Sequence, residues 1–347
     1  MTPCKPIMTN MPDDQMGPAI DAVAAACRVA RSVQQDAGLR QITKDDRSPV
    51  TVADFAVQAI VALALRDATH DVLIVGEEHA GILRQPEHEA VRRAVVEAVR
   101  MVRADVTEDV VIDAIDACDH DGTAASFWTL DPIDGTKGFL RGQQYAIALG
   151  RIDGGRVVLG VMGCPNLSAD HGRPFDDPDP VGVIYAASDG GGCRQLSADE
   201  PGGEAQPVSA PSDTAFETGA TVRVCGSVEA AHSKHSDTER VSEHLGLVVE
   251  YARLDSQCKY AVVARGQADA YLRMPIRKDY VEKIWDHAAG SIIATEAGAV
   301  VTDVSGAPLD FGRGSRLEAN RGVVCAASGA HPMIIRAIDD LGIAAAG

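Results

Sequence analysis

The chain has 347 residues and a formal net charge of −18 at pH 7, so it can bury a substantial core and is long enough for two domains. This acidic balance argues against binding to nucleic-acid polymers, which depends on a positive surface, but not against a small phosphorylated ligand, because bound Mg²⁺ reverses the sign of an acidic pocket. No apolar run approaches the roughly 20 residues needed to span a bilayer, and no basic-then-apolar export signal opens the chain.

The eight cysteines are widely spaced and include no C-x-x-C pair. In a chain of this length, such cysteines are typical of reduced core residues and not of a disulfide framework or a zinc site. We therefore expect a soluble, cytoplasmic protein in a reducing compartment, with no membrane partner.

The first part of the chain predicts a leader and two helices. Residues 1–15 contain three prolines and are predicted to be a loose leader, followed by a helix over Met16–Ala37. A second helix follows Thr51, because its apolar residues recur with the helical period. Asp54 lies in the first turn of this helix, where the Thr51-x-x-Asp54 spacing is typical of a capping arrangement. Taken by itself, this spacing favours a cap as the explanation of Asp54.

A short apolar run predicts a buried strand over residues 72–75, which ends at Gly76 and is followed by Glu77 and Glu78. Adjacent carboxylates repel each other, so either a cation lies beside them or the pair lies on a solvated loop. The strand alone leaves both explanations open. Two helices are predicted next, near residues 86–101 and 108–118.

The stretch Asp131-Pro132-Ile133-Asp134-Gly135-Thr136 has the features of an elbow. Residues 126–130 favour a buried strand that ends at Asp131, Pro132 stiffens the chain and Gly135 releases it, so both carboxylates can turn toward one point. Thr136 is expected to open a helical turn whose free N–H groups suit an anion. The spacing alone leaves metal binding and a simple capped turn as alternatives.

The remaining pattern alternates strands and helices. A hairpin is predicted within residues 145–162 and a strand at 183–187, and the polar stretch 198–219 indicates a connector. We predict an N-terminal domain over residues 16–218 and a C-terminal domain over residues 219–347. The last large helix is expected near Glu282–Ala297, with Asp286 in its first turns.

Acidic residues recur at strand ends and in the first turns of helices. There are five of them: Asp54, Glu77, Asp131, Asp134 and Asp286. Carboxylate oxygens at such junctions suit Mg²⁺, and five of them favour a two-metal site that activates water against a phosphate ester.

Three stretches resemble the signatures of the lithium-sensitive, Mg²⁺-dependent inositol monophosphatase superfamily, in the same order and spacing. They are Gly76-Glu77-Glu78, the DPIDGT elbow at 131–136, and Trp285-Asp286-His287-Ala288-Ala289-Gly290. The resemblance extends from about Val23 to Ile338. It implies an α+β or α/β fold, a layered αβαβα sandwich of the sugar-phosphatase type, with the active site between two domains.

Further stretches are similar to the bisphosphate nucleotidase branch of this superfamily. They are residues 48–54, 137–142, 163–167, 254–260 and 271–275. That branch removes the 3′-phosphate from adenosine 3′,5′-bisphosphate, giving AMP, and also acts on 3′-phosphoadenylyl sulfate. The resemblance implies the same activity on a small nucleotide bisphosphate, in a monomer or a weak homo-oligomer. The alternatives are an inositol mono- or polyphosphate phosphatase and, from another class, a catalytically inactive nucleotide-binding regulatory protein.

The resemblance also implies a cofactor of two or three Mg²⁺ ions. Glu77, Asp131 and the carbonyl of Ile133 would hold one ion. Asp131, Asp134 and Asp286 would hold a second, so that Asp131 bridges the two.

The catalytic roles are implied by the same motifs. Asp54 and Thr136 match the pair that polarises the attacking water, and Glu77 would help through a third, weakly held ion. The backbone N–H groups of Gly135 and Thr136 would hold the charge of the phosphate.

The nucleotide end is assigned to His232, Ser256, Lys259 and Arg273, with Asp286 also touching substrate. Ser256 lies at a predicted helix start with Lys259 one turn later, where the helix dipole and the ammonium favour a second phosphate. Each residue also has an ordinary explanation: a helix cap for Ser256, solvated charges for Lys259 and Arg273, and a surface loop for His232.

Overall fold

A computed structural model of the chain describes residues 13–36, 41–43, 49–211, 216–228, 235–275 and 280–346. The helices are α1 (Asp13–Gln35), α2 (Val52–Ala68), α3 (Glu89–Arg100), α4 (Glu108–Asp116), α5 (Thr136–Leu140), α6 (His235–His244), α7 (Cys258–Ala264), α8 (Ala288–Glu296), α9 (His331–Asp340) and α10 (Ile343–Ala346). The strands are β1 (Gln41–Thr43), β2 (Pro49–Thr51), β3 (Ile74–Gly76), β4 (Ser126–Asp134), β5 (Ala146–Asp153), β6 (Arg156–Cys164), β7 (Val183–Ser188), β8 (Gly192–Ser197), β9 (Gln206–Val208), β10 (Thr221–Gly226), β11 (Val248–Arg253), β12 (Ala270–Arg273), β13 (Ala299–Thr302) and β14 (Val323–Ala327).

Two large sheets and one short hairpin contain these strands. The first sheet has seven strands in the order β3-β4-β5-β6-β7-β8-β9, and the second has five in the order β11-β10-β12-β14-β13. Only β3 and β4 are parallel in the first sheet, whereas β10 is parallel to both β11 and β12 in the second. The hairpin consists of β1 and β2.

The helices lie in three layers around the two sheets. α1 and α2 pack on the seven-stranded sheet, α7 and α8 lie between the sheets, and α9 with α6 covers the other side of the five-stranded sheet. Alternate residues of the central strands point to opposite layers: Ile147 and Val161 pack with α1 and α2, whereas Ala148 and Met162 pack with α7 and α8. This arrangement confirms the predicted αβαβα sandwich.

Most elements lie within a few residues of their predicted bounds, with exceptions at the N-terminus and in the connector. The predicted leader is wrong at its end, because residues 13–15 already belong to α1, while residues 1–12 lie outside the described range. β9 falls inside the predicted connector at 198–219; it is a short edge strand on β8, and its three residues are too few to show an apolar periodicity. The division into two domains near residue 218 stays a prediction, since α7 and α8 pack between the sheets of both halves.

The segment before α8 differs most from its prediction. The helix expected from Glu282 begins only at Ala288, because the preceding backbone pairs with another segment. The N–H of Leu317 donates to the Glu282 carbonyl at 2.9 Å, and that of Ile284 donates to the Ser315 carbonyl at 3.3 Å. Asp286 therefore precedes the helix and does not lie in its first turns. No helix in the described ranges combines the length and apolar character needed to cross a bilayer.

Candidate active site

The elbow is a bulge near the end of β4. Asp131 lies opposite Ala148 and Asp134 opposite Ala146, so β4 takes three residue steps where β5 takes two. Residues three apart on a regular strand point to opposite faces of the sheet, and one extra residue restores both to the same side. The bulge thus explains why both carboxylates face a common point, as the sequence predicted.

Gly135 turns the chain from β4 into α5. Its φ of 87° is in the left-handed region, where glycine has no steric penalty. A Cβ at this position would lie 3.1 Å from Cβ of Ser256. Thr136 then opens α5, as predicted, and its hydroxyl donates to the carbonyl of Ile133 at 3.1 Å.

Asp131 lies at the centre of the five predicted acidic residues. Its side chain is buried, and its Oδ1 atom has no hydrogen-bond partner among the residues that the structure describes. Burial raises the pKa of Asp131 well above its usual range, and the negative charges of the other four acids raise it further. Those four are Glu77, Asp134, Asp286 and Asp54. The structure therefore brings together carboxylates from α2, the end of β3, the elbow and the segment before α8.

These acids fit a divalent cation. Burial raises the pKa of Asp134 to about 6 even though Lys259 lowers it, and burial likewise raises the pKa of Asp286 against the opposing charge of Arg273. Repelling carboxylates with an unpartnered oxygen at their centre are stabilised by a hard cation, and oxygen ligands are those that Mg²⁺ prefers.

Asp54 caps α2 and also faces the elbow. Its Oδ2 atom accepts hydrogen bonds at 2.7 Å from the N–H and the hydroxyl of Thr51, which completes a capping box at the start of α2. Its Oδ1 atom lies 3.5 Å from the hydroxyl of Thr136. The cap therefore fixes the carboxylate and leaves one oxygen directed toward the elbow.

A buried glutamine fixes the segment of Glu77 and Glu78. Gln58 lies one turn after Asp54 on α2, and its Nε2 donates to the Glu78 carbonyl at 2.7 Å and to the Ile115 carbonyl at 3.0 Å. Its Oε1 accepts the N–H of Glu78 at 3.0 Å. Because the Glu78 side chain is buried, the alternative of a solvated loop is wrong for this residue. No pattern in the sequence marks Gln58 for this role.

Ser256 and Lys259 lie beside the elbow. Ser256 has a left-handed φ of 71°, and its hydroxyl accepts the N–H of Cys258, the first residue of α7, at 3.2 Å, although the N-cap position itself is Gln257. The Lys259 side chain is buried, with Nζ 3.5 Å from the Leu254 carbonyl. Burial lowers the pKa of Lys259, and the charge of Asp134 opposes this effect. The alternative of a solvated charge is therefore wrong for Lys259.

Arg273 is engaged in an ion pair next to the site. Its Nε and Nη2 atoms lie 2.9 and 2.8 Å from the two carboxylate oxygens of Glu282, and Nη2 lies 4.0 Å from Asp286. Burial opposes ionisation of Glu282, but the guanidinium of Arg273 outweighs it and lowers the pKa of Glu282 to about 2. Arg273 is thus not a solvated charge either. His232 lies outside the described residues.

Glu282, Asp286 and His287 place three possible ligand atoms within 4.8 Å of one another. Glu282 is already paired with Arg273, and the ring of His287 lies 2.8 Å from the Tyr260 hydroxyl and 3.4 Å from Glu282. These contacts describe an ion-pair network that supports the Asp286 segment.

Comparisons with known proteins agree with this arrangement. A model described as "Inositol monophosphatase family" matches residues 14–342. The chain is 40% identical to the "3'(2'),5'-bisphosphate nucleotidase" of Schizosaccharomyces pombe over 88% of each chain, and 39% identical to the protein of that name from Oryza sativa over 94% of each. Among solved structures, the Thermotoga maritima IMPase has a TM-score of 0.61 at 19% identity and covers 94% of this chain and 98% of its own, which shows a shared fold.

Proposed function

The chain belongs to the inositol monophosphatase family, and from this premise we propose that it hydrolyses the 3′-phosphate of adenosine 3′,5′-bisphosphate, giving AMP and phosphate. 3′-Phosphoadenylyl sulfate is the proposed second substrate. The observation that carries the hydrolytic part is the convergence of four further carboxylates on the buried Asp131. The choice of substrate is supported by relatives named as bisphosphate nucleotidases, which are 36–40% identical over most of the chain.

The family is generally Mg²⁺-dependent. We propose that Glu77, Asp131 and the Ile133 carbonyl hold one ion, and that Asp131, Asp134 and Asp286 hold a second. The ions, when bound, supply Lewis-acid stabilisation of the phosphate charge and lower the pKa of water. A third, weakly held ion beside Glu77 is part of the proposal.

The residues of the chain provide the proton path and the anion site. The Thr136 hydroxyl, which lies 3.5 Å from Asp54 Oδ1, would accept a proton from the attacking water and pass its own proton to that carboxylate. Backbone N–H groups of Gly135 and Thr136, at the start of α5, would bind phosphate oxygens as negative charge develops. The Thr51 cap holds Asp54 in place for this role.

The second phosphate would be recognised from the C-terminal half of the chain. We propose Ser256, Lys259 and Arg273 for this role, with His232 as a further substrate contact. The positive charges of Lys259 and Arg273 already act on Asp134, so they lie near the proposed metal shell. A buried ammonium is weakly screened by water, and it can attract an anion even where it makes no direct contact.

The proposed function predicts phosphate release from adenosine 3′,5′-bisphosphate with Mg²⁺, with inhibition by Li⁺. Inositol 1-phosphate and inositol 1,4-bisphosphate serve as competing substrates, compared by kcat/KM. A higher kcat/KM on the inositol phosphates would favour the alternative enzyme. Tight binding of the nucleotide without release by a folded protein would indicate the regulatory alternative and contradict our proposal.

We also propose a reducing, cytoplasmic setting, with small molecules as the partners of the site and a monomer or weak homo-oligomer as the assembly. The seven cysteines within the described ranges are buried and free. Burial raises the pKa of Cys27 and of Cys118 to about 12, so both thiols are unreactive at neutral pH. Analytical ultracentrifugation of the reduced protein tests the assembly.

A further inference from the structure

We propose that Gln257 is a positioning residue that holds the Asp134 and Asp286 segments at the separation needed for metal binding. This inference rests on the proposed function, because it concerns two residues of the proposed metal shell. Gln257 itself is buried, with a relative exposure of 2%, and it was not identified from the sequence.

The main chain of Gln257 binds Asp134. Its N–H donates to Asp134 Oδ2 at 2.5 Å, a short hydrogen bond to a carboxylate and therefore one of the stronger kind. Because the donor is a backbone group, a change of side-chain rotamer cannot move it. Asp134 Oδ2 is thereby held at a fixed place relative to the backbone of residue 257.

The side chain of Gln257 binds the backbone on both sides of Asp286. Its Nε2 donates to the carbonyl of Trp285 at 2.8 Å, and its Oε1 accepts the N–H of Gly290 at 2.9 Å. Trp285 immediately precedes Asp286, and Gly290 lies in the first turn of α8, where helix N–H groups lack intrahelical acceptors. One amide group thus supplies a helix N–H with its acceptor and fixes the chain before the helix.

The segment that carries Gln257 is itself anchored. Asp255, which is 5% exposed, accepts the Ser227 hydroxyl at 2.9 Å and pairs with Arg141. Ser256 adopts the left-handed conformation that turns the chain between Asp255 and Gln257. A side chain on such an anchored turn can hold its partners in place, as a side chain on a loose loop cannot.

The separation of Asp134 and Asp286 needs such support because their charges repel. In the folded chain the charge of Asp134 raises the pKa of Asp286, and without the hydrogen bonds of Gln257 this repulsion would favour a larger separation of the two segments when no cation is bound. Bringing the two segments back together on binding would then cost free energy and reduce the affinity of the site for the metal. Groups that only orient metal ligands typically contribute roughly 10–100-fold to metal affinity or activity.

The test compares Gln257→Ala and Gln257→Met with matched variants of Gln144. Gln144 has the same 2% exposure, and its Nε2 donates to the carbonyls of Asn166 and Phe175, each at 2.9 Å, neither of which is a proposed ligand. Calorimetric titration of the metal-free proteins with Mn²⁺ gives metal affinity, and urea unfolding gives stability. Gln257→Met keeps the side-chain volume and carries the test if the alanine variant does not fold.

We expect the Gln257 variants to bind Mn²⁺ roughly 10–100-fold more weakly than the wild type, while Gln144→Ala and Gln144→Met lose stability but bind Mn²⁺ unchanged. The Mg²⁺ concentration for half-maximal turnover should rise in parallel. Wild-type Mn²⁺ affinity in Gln257→Met, or an equal loss in the Gln144 variants, would overturn the inference. A wild type that binds Mn²⁺ without hydrolysing nucleotide would instead contradict the proposed function.

Discussion

Asp134 is balanced between repulsion by its acidic neighbours and attraction by groups from the second half of the chain. Burial of its carboxyl raises its pKa to about 6, against the opposing effects of Lys259, the Gln257 N–H and Arg273. At neutral pH the carboxylate is therefore only moderately favoured over the acid, and a bound cation would favour it further. The residue is thus suited to a ligand whose charge is stabilised by the ion.

Asp134→Asn should abolish turnover and leave the fold intact. Asparagine keeps the size of the side chain and an oxygen for the Gln257 N–H, but it lacks the anionic ligand. We expect kcat/KM to fall by more than about 100-fold, beyond the range for groups that only orient a ligand. Phosphate release and thermal unfolding in EDTA measure the two effects. Near-normal turnover would remove Asp134 from the metal shell.

Arg273 and Glu282 form a buried ion pair whose members depend on each other. Arg273→Met should lower the free energy of unfolding by about 3–5 kcal/mol, because it leaves the charge of Glu282 buried without its cation. The double variant Arg273→Met/Glu282→Gln should recover much of that loss, since no unpaired charge remains. Urea unfolding of both variants measures the difference. A double variant as unstable as the single one would show that packing, and not charge, sets the cost.

The cluster of carboxylates was predictable from the sequence because its members lie within recognisable motifs. The residues that hold them were not. Gln58 and Gln257 act through hydrogen bonds to backbone atoms of segments far away in the chain, and a buried glutamine has no local pattern that distinguishes it from an exposed one. Likewise, nothing in the sequence around Lys259 shows that its side chain is buried, and its ordinary explanation as a solvated charge was therefore wrong.

At the scale of elements, the close approach of α8 to the first sheet places Asp286 near the elbow. Glycines on the central strands make this approach possible: a Cβ at Gly160 would lie 2.9 Å from the Ala289 carbonyl oxygen, and a Cβ at Gly150 would lie 2.9 Å from Cβ of Ala288. Neither glycine has a positive φ, so the requirement is one of space. The position of Asp286 therefore depends on the packing of α8, the helix that follows it.

Gly160→Ala should destabilise the fold by about 1–3 kcal/mol, because the added methyl group overpacks the contact between β6 and α8. Turnover should also fall, since α8 would carry the Asp286 segment outward. Gly81→Ala is the matched control: it has nothing within 4 Å of its added Cβ and a helical φ of −52°. It should leave stability unchanged or raise it slightly. Equal unfolding midpoints for the two variants in urea would contradict this account.

Elements with a clear local pattern were predictable, and those defined by distant pairing were not. β7 (Val183–Ser188) matches its predicted bounds of 183–187 to within one residue, because its first five residues form an apolar run. The predicted start of α8 was wrong because residues 282–284 pair with the backbone of residues 315–317, a contact with no local signal. Both carboxylates of the elbow turn toward one point, as predicted. The cause of this turn is the irregular pairing of β4 with β5.

For the whole molecule, the net charge of −18 favours cations near the surface and disfavours a substrate with two phosphates. The site resolves this conflict locally. Buried Lys259 and partly buried Arg273 provide fixed positive charge beside Asp134, and bound Mg²⁺ would offset the remaining acids. The overall charge was readable from composition, whereas the placement of these cations inside the fold required the tertiary structure.

Metal binding should accordingly stabilise the folded chain as a whole. A ligand that binds only the native state adds about 2.7 kcal/mol to the free energy of unfolding at a concentration 100 times its Kd. Mg²⁺ added to EDTA-treated protein should therefore raise Tm. NaCl at equal ionic strength is the control for screening.

In Asp131→Asn the Mg²⁺-induced rise in Tm should be lost. The metal-free variant should unfold at a higher temperature than the metal-free wild type, because burial and four acidic neighbours raise the pKa of Asp131 and make its charge costly. The same Mg²⁺-induced shift in variant and wild type would show that the ion binds elsewhere.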